Sequence, residues 1–247
     1  MRIKTLLNYS PNFSTSARIK KKIKYIIYHY TGMRSENKAI KRLTDLNSNV
    51  SCHYFIKRNS QIILMVPELY EAWHAGKSKW KKIKSLNKYS IGIELNNPGH
   101  EHGYKSFSSK QIKSLKKLLK YLMKKFNINY KNILGHSDIA PDRKKDPGEK
   151  FPWKELAKEK LALWHKLSIK KIKSLRNLKV NANEEKLFLL NLVNIGYSKI
   201  KKNNYKKNQI YLIKAFQRRF RQELINGKID KECLSGDFHP SCGPFGF

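Results

Sequence analysis

The chain has 247 residues, is 40% apolar and carries a formal net charge of +35, enough apolar matter for one good-sized core with room for a second small one. Its longest apolar runs, such as IILMVP and LFLLNLV, fall far short of the roughly 18–20 residues that a transmembrane helix needs. The basic excess is 43 Lys against 10 Arg spread along the whole chain, without the arginine forks or concentrated aromatic-basic interleaving of nucleic-acid readers, which argues for a lysine-rich solvated surface and against specific nucleic-acid binding.

In chain order, the N-terminal stretch MRIKTLLNYSPNFSTSARIKKK lacks the apolar run of about 7–15 residues and the small-residue cleavage site of a secretory signal. As read, a cytoplasmic protein is expected, or a periplasmic or secreted one if a leader precedes this sequence. Tyr25–His29 (YIIYH) is a short apolar run suited to a buried strand, with His29 at its C-terminal end. In ENKAIKRLTDL, Ala39, Ile40, Leu43 and Leu46 share one helical face. Cys52–Lys57 and Gln61–Val66 are two strand-like runs separated by RNS, which predicts a hairpin. Ser90–Leu95 (SIGIEL) alternates as another strand. Ser108–Phe126 is the strongest helix pattern: Ser108 and Gln111 make a capping box, and Ile112, Leu115, Leu118, Leu119, Leu122 and Phe126 form one stripe. Asn132–Gly135 then predicts a short strand that delivers His136, and the Pro-started PWKELAKEKLALW a helix ending near Trp164.

Strands interleaved with helices predict an α/β domain with a central mixed β-sheet flanked by helices, over residues 1–167. A basic linker is expected over 168–180. The patterns EEKLFLLNLVNIGY and NQIYLIKAFQRRFRQ, the second with Ile210, Ile213, Phe216 and Phe220 on one face, predict a small all-α domain over 181–247 with an irregular tail. The first domain is expected to fold without the second. Cys52, Cys233 and Cys242 suit neither a disulfide framework nor a cysteine zinc knuckle; they are read as free thiols, with a Cys233–Cys242 bridge as the lesser alternative.

The chemistry concentrates at strand ends. His29 ends the first strand, Glu94 lies in SIGIEL, His136 follows the last short strand, and Asp146 closes GHSDIAPDRKKDPG. Two imidazoles and one carboxylate are a catalytic Zn2+ set, because three protein ligands leave a fourth tetrahedral position for water. By residue type alone the bland alternatives stand: a structural histidine at a strand end, an ordinary turn in HSDIAP, a solvated charge run in DRKKD, and a Glu94 that merely pairs with a lysine.

The ordered motifs YIIYHYTG, SCHYFI, EAWHAG, SIGIEL and GHSDIAPDRKKDPG followed by FPW, with NYSPNF near the start, resemble the zinc-dependent N-acetylmuramoyl-L-alanine amidases of the type 2 amidase family, relatives of the peptidoglycan recognition proteins. The resemblance covers roughly residues 7–160. It implies that His29, His136 and Asp146 hold zinc, that Glu94 is the catalytic base, and that Lys144 helps to hold the tetrahedral intermediate. It places His53 and His74 beside the substrate groove. Asp138 and Arg143 are read as loop scaffolding. Two departures are Cys52, where a small residue is usual, and Asp142, where Gly is common.

The implied reaction is hydrolysis of the amide joining N-acetylmuramic acid to L-alanine, with peptidoglycan or muropeptide fragments, anhydro forms included, as partners and the protein acting as a monomer. LLNLVNIGY and IKAFQRRFR followed by INGKID resemble a helical peptidoglycan-binding module. A non-catalytic recognition module is the alternative, but members that only bind typically lose a metal ligand, and all three are present here. A basic nucleic-acid binder is the remaining one.

Overall fold

The computed structural model describes residues 3–199 and 203–235; Cys242, and with it the Cys233–Cys242 pairing and most of the tail, lies outside them. In chain order the elements are β1 (Leu6–Leu7), β2 (Phe13–Ser14), β3 (Tyr25–Tyr30), α1 (Glu36–Thr44), β4 (Tyr54–Ile56), β5 (Ile62–Leu64), β6 (Glu71–Ala72), β7 (Lys79–Trp80), β8 (Ile83–Lys84), β9 (Ser90–Leu95), α2 (Ser109–Phe126), β10 (Ile133–Gly135) and α3 (His136–Ile139). The remaining helices are α4 (Trp153–Lys158), α5 (Ile169–Leu175), α6 (Ala182–Ile195), α7 (Tyr205–Phe220) and α8 (Lys231–Ser235).

Six strands form the central sheet in the order β1-β5-β4-β9-β3-β10. Only β4 and β5, the expected hairpin, are antiparallel within it; the other pairings are parallel. The sheet is therefore mixed, with helices on both faces, as the alternation of patterns predicts.

Period-2 alternation sorts the residues onto two faces. Ile26, Tyr28, Ile91, Ile93 and Leu95 point to the face covered by Leu115, Leu118, Leu119 and Leu122 of α2. That helix begins at the expected capping box, where Ser108 accepts from Gln111 N–H at 3.2 Å and Gln111 accepts from Ser108 N–H at 3.2 Å. The opposite face carries Tyr25, Ile27 and Leu134, and these share one apolar cluster with Phe188, Leu192 and Ile195 of α6 and Leu212, Phe216 and Phe220 of α7. The expected boundary after residue 167 thus does not coincide with a break in the core. Each of these side chains contributes roughly 1.5–3 kcal/mol when fully buried, so the C-terminal helices are anchored on the sheet by the same term that holds α2.

Four local expectations differ, the first being that α4, expected to run to near Trp164, ends at Lys158. α1 stops at Thr44, and Leu46 is 65% exposed in the following turn, because Asp45 caps that turn by accepting from Asn47 N–H at 3.0 Å. Residues 168–180, read as linker, contain helix α5, whose Ser168 accepts from Lys171 N–H at 3.2 Å. Of the predicted stripe on α7, Ile213, Phe216 and Phe220 are buried, whereas Ile210 stays 43% exposed.

Candidate active site

β3, β9 and β10 are parallel neighbours, and their C-terminal ends lie side by side. His29 and Glu94 occupy the same register on adjacent strands, so both point to the face opposite α2. His136 follows β10 directly as the first residue of α3. Asp146 returns from the loop, where Ser137 N–H donates to its carbonyl at 2.8 Å.

These placements bring three donors to one point. Nδ1 of His29 lies 2.9 Å from Nδ1 of His136, and Oδ2 of Asp146 lies 3.1 Å from the first and 3.0 Å from the second. All three residues are buried, and their ligand atoms lie within 4.8 Å of one another. The far ring nitrogens are engaged elsewhere. Nε2–H of His136 donates to Ala75 O at 3.1 Å, and Nε2–H of His29 donates to Nδ1 of His74 at 3.0 Å. Such partners fix the tautomer that leaves Nδ1 as a lone-pair donor. The set fits a divalent cation of zinc's preference, since two imidazoles and one carboxylate are the donor types of a three-ligand zinc site.

The electrostatics agree with that use. Burial, helped by neighbouring His136, lowers the His29 pKa to about 4, so the ring is neutral and able to ligate at pH 7. Burial alone would raise Asp146, but the two imidazoles beside it, His136 first, outweigh burial and hold the carboxyl well below its usual range. Glu94 is pushed the other way, up to about 8, by burial and by the charge of Asp146, with Lys144 opposing. Its Oε2 is closed off from solvent and has no hydrogen-bond partner among the described residues. A carboxylate poised near neutrality and left without a partner is suited to carry a proton.

The site opens into a cavity of about 400 Å³ whose lining includes His29, Glu94, His136, Lys144 and Asp146. Lys144 is half-buried, and its loop is tied down by its N–H donating to Ala140 O at 3.0 Å. His74 also reaches the cavity wall, but as the support of His29: its Nε2–H donates to Ser90 Oγ at 3.2 Å, and Ser90 O–H donates to Leu86 O at 2.6 Å. The ring lies against Gly92, where a Cβ would come within 2.3 Å of His74 Cγ. His53 is fully buried and absent from the cavity lining. It accepts from Gly92 N–H at 3.0 Å and donates to Tyr70 O at 3.0 Å, so it braces strand β9 and does not face a groove.

Arg143 bridges from its loop to Ala75 O at 2.6 Å and Lys77 O at 2.7 Å, a scaffolding role as expected. Asp138 is scaffolding too, but its partners, Arg219 and Tyr197, come from beyond residue 180. Sequence reasoning missed both. One signal for Arg219 was present: it lies three residues after Phe216 on the apolar stripe of α7, where a charged residue needs a buried partner.

Comparison with known proteins identifies the family. The N-acetylmuramoyl-L-alanine amidase family profile matches residues 19–149. The N-acetylmuramoyl-L-alanine amidase AmiD of Escherichia coli is 33% identical over 223 residues, covering 85% of this chain and 79% of AmiD. Its solved complex with anhydro-N-acetylmuramic acid-L-Ala-D-gamma-Glu-L-Lys superposes with a TM-score of 0.76 at 32% identity, over 90% of this chain and 88% of that one. AmpDh3 of Pseudomonas aeruginosa, solved with an anhydromuramic pentapeptide, gives 0.75 at 29% identity over 92% and 94%. The matched profile, the similarity to AmiD along most of both chains and the shared fold establish that this chain belongs to the N-acetylmuramoyl-L-alanine amidase family.

Proposed function

We propose that this amidase uses Zn2+ held by His29, His136 and Asp146 to cleave the amide between N-acetylmuramic acid and L-alanine in muropeptides, anhydro forms included. The observation that carries the reading is the convergence of two imidazole nitrogens and one carboxylate oxygen beside the half-buried Glu94, whose Oε2 has no partner among the described residues. AmiD and AmpDh3, each solved with an anhydromuramyl peptide, support the substrate class. When bound, zinc supplies a Lewis acid that polarises the scissile carbonyl and makes water nucleophilic near neutral pH.

The chain's own groups do the rest. Glu94 takes a proton from the attacking water and returns it to the departing amine of L-alanine, a transfer for which a pKa near neutrality is well matched. Lys144 brings a positive charge to the cavity wall, where negative charge develops on the carbonyl oxygen. His74, with Ser90 behind it, holds His29 in the ligating tautomer.

The test is hydrolysis of an anhydro-N-acetylmuramyl tripeptide followed by mass spectrometry, with the protein as purified, after chelation and after zinc is restored. Expected products are anhydro-N-acetylmuramic acid and a peptide with a free N-terminal alanine, formed only when metal is present. Undiminished cleavage after complete chelation overturns the reading.

A further inference from the structure

We propose that Arg219 and Tyr197, both from the C-terminal helical part, are positioning residues for the ligands His136 and Asp146, so that the C-terminal helices belong to the frame of the active site. The inference rests on the reading of His29, His136 and Asp146 as a metal site.

The connection runs through Asp138. α3 has only four residues, His136–Ile139, far too few to hold a helix by its own hydrogen bonds, so the direction of His136 depends on what grips α3 from outside. Asp138 provides the grip. Its Oδ2 accepts from Gly135 N–H at 2.8 Å and from Arg219 Nη1 at 2.5 Å. Its Oδ1 accepts from the Tyr197 hydroxyl at 2.6 Å. The second arm of Arg219, Nη2, donates to Ile133 O at 2.9 Å, on the strand that leads into His136. The guanidinium lies 4.4 Å over the Trp153 ring.

Side-chain exposure is 3% for Arg219 and 1% for Asp138. A buried ion pair adds little net stability over apolar residues of similar volume. What this one does is fix position, because a planar fork with two occupied arms sets both the strand end and the helix that follows.

From α3 the constraint reaches the second ligand. Ser137 N–H donates to Asp146 O at 2.8 Å, and Ala140 O accepts from Arg143 N–H at 3.2 Å and Lys144 N–H at 3.0 Å. The loop that carries Lys144 and Asp146 therefore hangs on the helix that Arg219 and Tyr197 hold.

The experiment measures zinc affinity of the full chain by competition with a chromogenic chelator, for Arg219→Lys, Tyr197→Phe and, as control, Arg176→Gln. Arg219→Lys keeps the charge but loses the fork. Tyr197→Phe removes one donor and introduces no charge. Arg176→Gln breaks ion pairs to Glu223 and Glu232 in the same C-terminal part, with no contact to Asp138. Folding is checked by circular dichroism and by the thermal midpoint of the zinc-free proteins.

Zinc affinity is expected to fall about 10–100-fold in Arg219→Lys, the range for losing a partner behind a metal ligand, and by a smaller factor in Tyr197→Phe, while Arg176→Gln stays within twofold of wild type. Affinities within twofold of wild type in both folded test variants overturn the inference, as does an equal loss in Arg176→Gln. If Arg219→Lys does not fold, Tyr197→Phe decides. A wild-type protein that takes up no zinc overturns the metal reading itself, a separate result.

Discussion

His74 accepts a hydrogen bond from His29 at 3.0 Å through Nδ1 and is itself held by Ser90 at 3.2 Å. A candidate ligand is thereby held in one ring orientation by a second histidine. His74 can both accept and donate because it is neutral: burial, reinforced by the neighbouring His29, drives its pKa well below the ordinary imidazole value.

His74→Ala leaves Nε2–H of His29 unpaired in a buried site. Zinc affinity is expected to drop about 10–100-fold, read by chelator competition. Gly92→Ala should give a related loss, because its Cβ would press into the His74 ring. Unchanged affinity in both variants removes His74 from the support of the site.

Glu94→Gln is nearly isosteric and keeps an oxygen but cannot accept the proton at neutral pH. Turnover should fall about 10²–10⁴-fold while zinc content stays at the wild-type level. Near wild-type turnover places the base elsewhere, and lost zinc makes Glu94 a ligand.

The same substitution has a pH signature in the zinc-free protein. The Glu94 carboxyl is raised to about 8 in the folded state, against about 4.3 in an unfolded chain. Between those values the folded state binds the extra proton, so the stability of the wild type falls as pH rises through this window. Glu94→Gln removes that loss. Its thermal midpoint should therefore exceed that of wild type by more at pH 8 than at pH 5, by several degrees; parallel curves would refute the raised pKa.

Lys144→Ala should retain zinc, because Lys144 is not a ligand, and lose about 10²–10³-fold in kcat, the range seen when one oxyanion partner is removed. Lys144→Arg should restore only part of this, since a planar guanidinium cannot place its charge where a compact ammonium did. A kcat within a few-fold of wild type in Lys144→Ala would exclude Lys144 from the chemistry.

Leu119→Ala tests the opposite face of the sheet. Leu119 is fully buried against the strands, and its truncation should cost about 2–5 kcal/mol, shifting the thermal midpoint down by about 2–4 °C per kcal/mol. In the folded variant kcat should not change, because α2 packs on the face away from His29 and Glu94.

Much of the catalytic fold was legible because its signals are local. The stripe and capping box of α2 span one helix, the runs of β3 and β9 bury both faces of each strand, and His29 and His136 mark strand ends by position alone. The short strands β1, β2, β6, β7 and β8 were not legible. Two residues are too few for a periodic pattern, and their pairing depends on distant partners such as Ile63 for Leu6 and Ala72 for Phe13.

By itself the sequence determined the α/β alternation, the candidate ligand set and the ordered motifs that resemble an amidase family, since each is written in neighbouring residues or in their order. Only the tertiary structure decided what those residues do for one another. His53 and His74 lie in motifs of equal appearance, yet one braces a strand and the other holds His29, because a parallel register sets Gly92 beneath one ring and a backbone amide before the other. Asp138 looked like part of a turn, and Arg219 like one more basic residue among 53. Their meeting across 81 residues follows from burial of α7 against the sheet, a non-directional apolar force whose partner no local pattern names.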